Sequence, residues 1–353
     1  MRSECHIEEI SADSYQQEIQ NYEHSIFMTR HWVESMINET SESIFLRIYH
    51  NNKPIGIAAG LVLKGSMLQG RQLYFYSAPA LINNNQEVLQ QCLKALKKYA
   101  RQNNYTRINI RPWDQQHSFI ADVQGFITTE THEFPINYTR TNSNSQISSR
   151  IMRNIKKGQK TDVEIKRCKS LKALDVLLEL LSDTHNRREL KYGKEYSPFY
   201  LYNLNKYTVE RLINNDSAIL YCASIDNRVH SVELNLEYEG KAYNVLKASI
   251  DEAYQNGISS LLDFHMIQHY KENNFNYFNL GGELINGEGM GLSMYKEGLG
   301  GEKIKKRGYY TYYITFPRCC LNPLMHLGKN LPDNSIISTI KKWGSNLLTA
   351  SSK

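Results

Sequence analysis

The sequence lacks the signatures of several chemistries. It holds no GxxxxGK[ST] phosphate loop, no GxGxxG after a predicted strand and no HExxH helix, which removes support for nucleotide hydrolysis, nicotinamide chemistry and zincin proteolysis. Its longest unbroken apolar run, Ile55–Leu63, falls far short of the roughly 20 residues that a membrane-spanning helix needs. The first thirty residues carry Arg2, Glu4, Glu8, Glu9, Asp13, Glu18 and Glu23 and no apolar stretch to act as a signal-peptide core, so a cytoplasmic chain is expected. Cysteine is sparse: Cys5, Cys92, Cys168, Cys222, Cys319 and Cys320 show no CxxC spacing and are too few to staple so long a chain. A reduced compartment and no metal site are the expectation.

What is present is enough to fold. Hydrophobic residues make up 41% of the chain and 24 are tyrosine, so disorder is excluded as the global state. At 353 residues the chain exceeds the size at which one core stops growing, and two domains are the default.

Charge is concentrated. Between Arg140 and Lys172 stand ten basic residues against Asp162 and Glu164, a local net of +8 within a total of +6, which leaves the rest of the chain net acidic. On a helix, Ile147, Ile151 and Ile155 fall on one stripe, while Arg150, Arg153, Lys156, Lys157 and Lys160 fan over the other side. That face is either solvated or a docking surface for phosphates. No aromatics are interleaved with the cations, so stacking on single strands is poorly supported.

The chain also repeats itself. Ile44–Leu63 reads as strand, Asn-rich turn and strand, and so does Ile219–Leu236, with Asn52-Lys53 and Asn227-Arg228 in turns 175 positions apart. A helical pattern over 88–101 followed by Asn103-Asn104 and a strand is matched by one over 261–271 followed by Asn273-Asn274 and a strand. Each half therefore reads hairpin, strand, helix, strand. That order points to an α/β (α+β) domain with a mixed sheet, used twice.

Residues 279–301 hold eight of the chain's 20 glycines. Gly281-Gly282, directly after a predicted buried strand, permit positive φ or close backbone approach at a strand end, where ligands sit in open α/β sheets. Met294-Tyr295-Lys296 stand among these glycines, and a lysine held on such a turn can stabilise an oxyanion or a phosphate. Arg187 and Arg188 close a helix defined by Leu171, Leu174, Leu178 and Leu181; they either cap its dipole or clamp a pyrophosphate.

In order and spacing these features resemble the FemAB-type aminoacyl and acyl transferases of bacterial envelope biosynthesis, which are built from two GNAT-like domains in tandem. The pieces that carry the resemblance are Phe27–Trp32, Arg150–Lys157, the stretch Arg187–Pro198 with Tyr192 inside it, Lys247-Ala-Ser249, Asn279–Gly282 and Gly291–Gly300. The resemblance implies two domains, each a mixed, mostly antiparallel sheet flanked by helices. These would be 1–145 and 163–316, joined by a basic helix at 146–162 and followed by a tail at 317–353. It further implies transfer of an acyl or aminoacyl group from an activated donor, aminoacyl-tRNA or acyl-CoA, to an amine of an envelope precursor that is commonly lipid-linked. No cofactor would be tightly bound and no DNA would be a partner.

By the same resemblance Lys296 matches the family's lysine near the reacting centre, and Arg187 or Arg188 its substrate-phosphate contact. Arg150, Arg153 and Lys156 would face acceptor or tRNA phosphates, and Tyr192, Lys247, Ser249, Gly281 and Gly282 are the further candidate contacts. Tyr295 and Glu283 are the candidate proton carriers. The chain departs from the pattern in having neither a long heptad arm nor a Q/RxxGxG loop; Ser249–Gly257 stands in the place of that loop. Two other readings are a CoA-dependent N-acyltransferase of an amino sugar or small amine, and an RNA-binding protein without activity, for which Lys296 would be dispensable. In the tail, Ile336, Ile340, Trp343 and Leu347 share one helical stripe, which either docks on the fold or lies on a membrane.

Overall fold

Asn51 and Asn52 (φ 48° and 61°) and Asp226 and Asn227 (φ 48° and 64°) sit in the left-handed region, two in succession, as tight hairpin turns require. The computed structural model, which describes residues 5–117, 119–139, 147–192, 199–283, 290–323, 325 and 326, with side chains omitted from 187 to 192, places a hairpin at each. Both turns lie one residue earlier than the sequence pattern suggests. By contacts the chain divides into two units, one up to Glu130 and resuming at Lys306, the other Thr131–Lys305.

The first unit comprises β1 (Cys5–Glu9), α1 (Ala12–Glu18), α2 (Arg30–Ser35), β2 (Ser41–His50), β3 (Lys53–Leu63), β4 (Gln72–Phe75), β5 (Ala80–Leu81), α3 (Gln86–Gln102) and β6 (Arg107–Ile110). Strand order is β1-β2-β3-β4-β6, antiparallel except for the parallel pair β4 and β6. Alternation along β2 sends Ile44, Leu46 and Ile48 inward, where they meet Leu89, Cys92, Leu93 and Leu96 of α3. Asn85 caps α3 by accepting from the Glu87 amide at 2.7 Å, and Asn104 (φ 57°) ends it in the left-handed conformation.

The second unit repeats the plan. It runs β7 (Ile127–Asn137), α4 (Ser149–Gly158), β8 (Glu164–Cys168), α5 (Leu171–Tyr192), α6 (Lys206–Asn214), β9 (Ala218–Ile225), β10 (Arg228–Tyr238), β11 (Lys241–Ser249), α7 (Asp251–Gln255), α8 (Ile258–Glu272), β12 (Tyr277–Gly282) and α9 (Met290–Gly298). Strand order is β7-β12-β11-β10-β9-β8, again antiparallel except for one parallel pair, β11 and β12. Asn274 (φ 58°) follows α8 just as Asn104 follows α3. The mixed, mostly antiparallel sheet flanked by helices is thus present twice. β13 (Ile304–Tyr310) then returns the chain to the first unit, where Tyr309 pairs with Ile110.

Three expectations need correcting. The basic helix is no joint between domains: Ile151 and Ile155 of α4 are buried in the core of the second unit with Leu262, Met266 and Leu280. The break in the chain falls at Glu130 and Thr131, not at 145, and the described residues from Lys306 on belong with the first unit rather than with 163–316, because β13 pairs there. Helix α5 does not close at Arg187 and Arg188 but runs to Tyr192, and its buried leucines are Leu174, Leu177, Leu180 and Leu181, while Leu171 is exposed. The stripe over 336–347 lies outside the described residues. Among those described, no helix is long and apolar enough to cross a membrane.

Candidate active site

Strand β12 ends on a backbone distortion. Its register against β7 shifts between Asn279 and Gly282, and Gly281 takes φ +81°, with its amide donating to the Asn279 side-chain oxygen at 3.0 Å. A Cβ at Gly281 would lie 2.9 Å from the Asn244 carbonyl oxygen and 3.5 Å from Lys296 Nζ, so a larger residue there would crowd the lysine.

Lys296 does not sit on a glycine-flanked turn, as the sequence pattern suggested, but in the last turn of α9. That helix is anchored by Ser293, whose hydroxyl donates to Glu283 at 2.8 Å. Lys296 Nζ donates to the Gly282 carbonyl at 2.9 Å and stands 5.6 Å from the centroid of the Phe134 ring. This is its one hydrogen bond among the described residues, so two ammonium hydrogens are left for another acceptor. Burial pushes its pKa down to about 8, against the pull of Glu133, Asp263 and Glu283.

The surrounding carboxylates are held differently. Glu283 accepts from Ser293, from His132 at 2.7 Å and from Lys303 at 3.3 Å; burial raises its pKa, but these bonds outweigh it and hold the carboxyl below its ordinary value. Glu133, fully buried on β7, accepts from Tyr243 at 2.8 Å and from Asn279 at 3.2 Å. Asp263 of α8 forms an ion pair with Lys247 and accepts from the Tyr295 hydroxyl. Burial, followed by the Asp263 charge, keeps that hydroxyl protonated well above the usual range.

Lys296 and Glu283 are therefore brought together, whereas the Tyr295 hydroxyl points to Asp263 and Ser260 on α8. Lys247 and Ser249 belong to an internal polar layer. Lys247 also donates to the Ser259 carbonyl at 2.9 Å, and Ser249 bonds to Ser231 and Ser259 at 2.7 and 3.2 Å. Burial lowers the pKa of Lys247, yet Asp263 and Glu233 outweigh it and hold the ammonium above its ordinary value. Arg150, Arg153 and Lys156 are exposed on α4. The side chains of Arg187, Arg188 and Tyr192 lie outside those described. Glu133, Asp263 and His132 escaped the sequence reading because no spacing ties them to Lys296, and on β7 the apolar alternation marks Phe134 and Ile136 rather than Glu133.

Residues 10–134 match the family model described as FemAB family, and residues 145–297 match the one described as Acetyltransferase (GNAT) domain. By these matches the chain is similar to the FemAB family in its first part and to GNAT acetyltransferases in its second. No curated protein matches it. Among solved structures it is similar to FemX, at 14% identity over 91% of this chain and 99% of that one, with a TM-score of 0.64. It is also similar to a conserved protein of unknown function from Bacteroides thetaiotaomicron VPI-5482, at 10% identity over 87% and 99% with a TM-score of 0.56. L-PGS from Bacillus licheniformis shares 12% identity over 89% and 96%, with a TM-score of 0.52. At these identities the likeness is one of fold. The site around Lys296 lies within the unit that the GNAT model spans.

Proposed function

We propose that this FemAB-like enzyme transfers an aminoacyl or acyl group from an ester or thioester donor to the amine of a cell-envelope precursor. The observation that carries this reading is Lys296: a half-buried ammonium, pinned to the Gly282 carbonyl at a strand end, with two hydrogens uncommitted. The acceptor nitrogen attacks the donor carbonyl carbon, the carbonyl oxygen becomes an oxyanion, and Lys296 stabilises it by charge and hydrogen bond. Collapse breaks the bond from carbon to the donor oxygen or sulfur. The proton lost by the amine passes to Glu283, which is anionic and bridged to His132, and from there to the departing oxygen or sulfur, which leaves as the alcohol or thiol. Tyr295, committed to Asp263, braces α9 from the other side.

Between donors, the aminoacyl ester of a tRNA ranks first. Gly257 opens α8 at the end of the segment that replaces a CoA pyrophosphate loop, and a Cβ on it would lie 2.1 Å from the Asn154 carbonyl of α4. Helix α4 thus lies against the backbone that would cradle a pyrophosphate, and it presents Arg150, Arg153 and Lys156 to solvent. The GNAT match over 145–297 favours acyl-CoA as the second reading.

Two measurements test this. A Lys296→Met variant that melts like wild type should lose about two to three orders of magnitude in transfer rate, and full turnover would refute the role. Thermal melting should shift with charged but not uncharged tRNA. A shift with CoA thioesters alone would move the donor to acyl-CoA, and equal shifts with both tRNA forms would favour simple RNA binding.

A further inference from the structure

In the first unit β6 alternates across its sheet. Ile108 and Ile110 are buried in the core with Tyr309 of β13, which sends Arg107, Asn109 and Arg111 to the opposite face. Tyr310, directly opposite Asn109 in the pairing with β13, joins them, and Tyr312 follows. Together these side chains line a cavity of about 350 Å³, within the range of small-molecule sites.

The two arginines are the unusual part. Arg107 is 5.5 Å from the Tyr313 ring centroid and Arg111 is 5.6 Å from that of Trp113, and among the described residues no carboxylate meets either guanidinium. Other half-buried arginines are compensated: Arg30 by Asp13 and Glu34, Arg47 by Glu8 and Glu18, Arg307 by Glu130, and Arg318 by the carbonyls of Met67 and Leu68. Two like charges on one face of one strand, partly desolvated and lacking a counter-ion, repel each other and call for an anion from outside.

We propose that this cavity binds a small molecule bearing two oxyanionic groups, phosphate or carboxylate, held by Arg107 and Arg111 with Asn109 between them and the Tyr310 and Tyr312 rings against its body. Planar guanidiniums suit either group through paired N–H donors. Four residue steps along the chain separate the two arginine Cα atoms by about 13 Å, a span that long side chains close onto a diphosphate or leave open for two separated carboxylates. The assignment does not rest on the transfer reaction, which is placed in the other unit.

Titration calorimetry of the full chain at low salt, with inorganic pyrophosphate and separately with glutarate, tests it. Saturable single-site binding of at least one probe is expected, and the better binder distinguishes phosphate from carboxylate recognition. Arg107→Gln and Arg111→Gln should each weaken binding about tenfold, and Lys296→Met should leave it unchanged. Phenylglyoxal labelling of the wild type, mapped by mass spectrometry, gives a readout independent of how the variants fold: the bound probe should protect Arg107 and Arg111 but not the exposed Arg101 and Arg228. Absence of saturable binding by both probes, or labelling of both arginines unaffected by them, would overturn the assignment. Since neither readout uses turnover, either result leaves the test of Lys296 independent.

Discussion

The protonation of Lys296 is set by a balance that can be measured without knowing the substrates. Burial lowers its pKa from 10.5 to about 8, while Glu133, Asp263 and Glu283 pull it upward and do not prevail. A group with that value is about nine-tenths protonated at pH 7 and about one-tenth at pH 9. Competitive labelling with an amine-acylating reagent from about pH 6 to about pH 11, read by mass spectrometry of the Lys296 peptide, gives the midpoint directly. In the folded protein the midpoint should fall near pH 8; in the denatured chain it should return toward 10.5. Glu133→Gln removes one of the carboxylates that support the ammonium, so the folded midpoint should move lower still. Transfer that depends on the ammonium should then slow about tenfold per pH unit above the midpoint. The linkage has a definite sign: between the folded and unfolded values the unfolded chain holds a proton that the folded one has released, so this group makes stability rise with pH across that window. A folded midpoint at the denatured value, or an upward shift in Glu133→Gln, would refute the reasoning.

Two stability experiments address the polar layer behind the site. Glu233 is buried, and burial together with the Asp263 charge pushes its pKa up to about 7 from 4.5, against the pull of Lys247, Asn235 and Asn244. As pH rises through that interval the unfolded chain loses a proton that the folded one keeps, so stability falls. Glu233→Gln should remove the fall and raise stability near pH 8 by about 2 kcal/mol in denaturant titrations, and identical pH profiles for the two proteins would contradict the assignment. Lys247→Met strands Asp263 and should cost about 3–5 kcal/mol, most of it recovered in Lys247→Met/Asp263→Leu; a loss under about 1 kcal/mol in the single variant would show that the ion pair does not hold the layer together.

Local rules carried much of the fold. The two Asn-containing hairpin turns, the helices closed by Asn104 and Asn274, and the inward stripe of Ile151 and Ile155 follow from backbone sterics and period, which need only neighbouring residues. Gly281 and Lys296 are singled out by the sequence for the same reason, since a glycine pair after a buried strand is a local signal.

Distant pairing decided the rest. Lys296 lies on a helix whose Ser293 is tied to Glu283, ten positions earlier, an energy that no propensity scale contains. The acidic surroundings of the lysine depend on the register of β7 against β12, which brings in Glu133, and on the rotation of α8, which turns Asp263 inward. Alternation says which residues share a face; it does not say what that face will meet. In the same way the return of β13 to β6 joins residues some two hundred positions apart and brings Tyr309 and Tyr310 to the first unit. The sequence by itself thus determined the repeated hairpin, strand, helix, strand plan, because each step is local. Only the tertiary structure decided which charges face one another, because burial and partnership are properties of the packed chain.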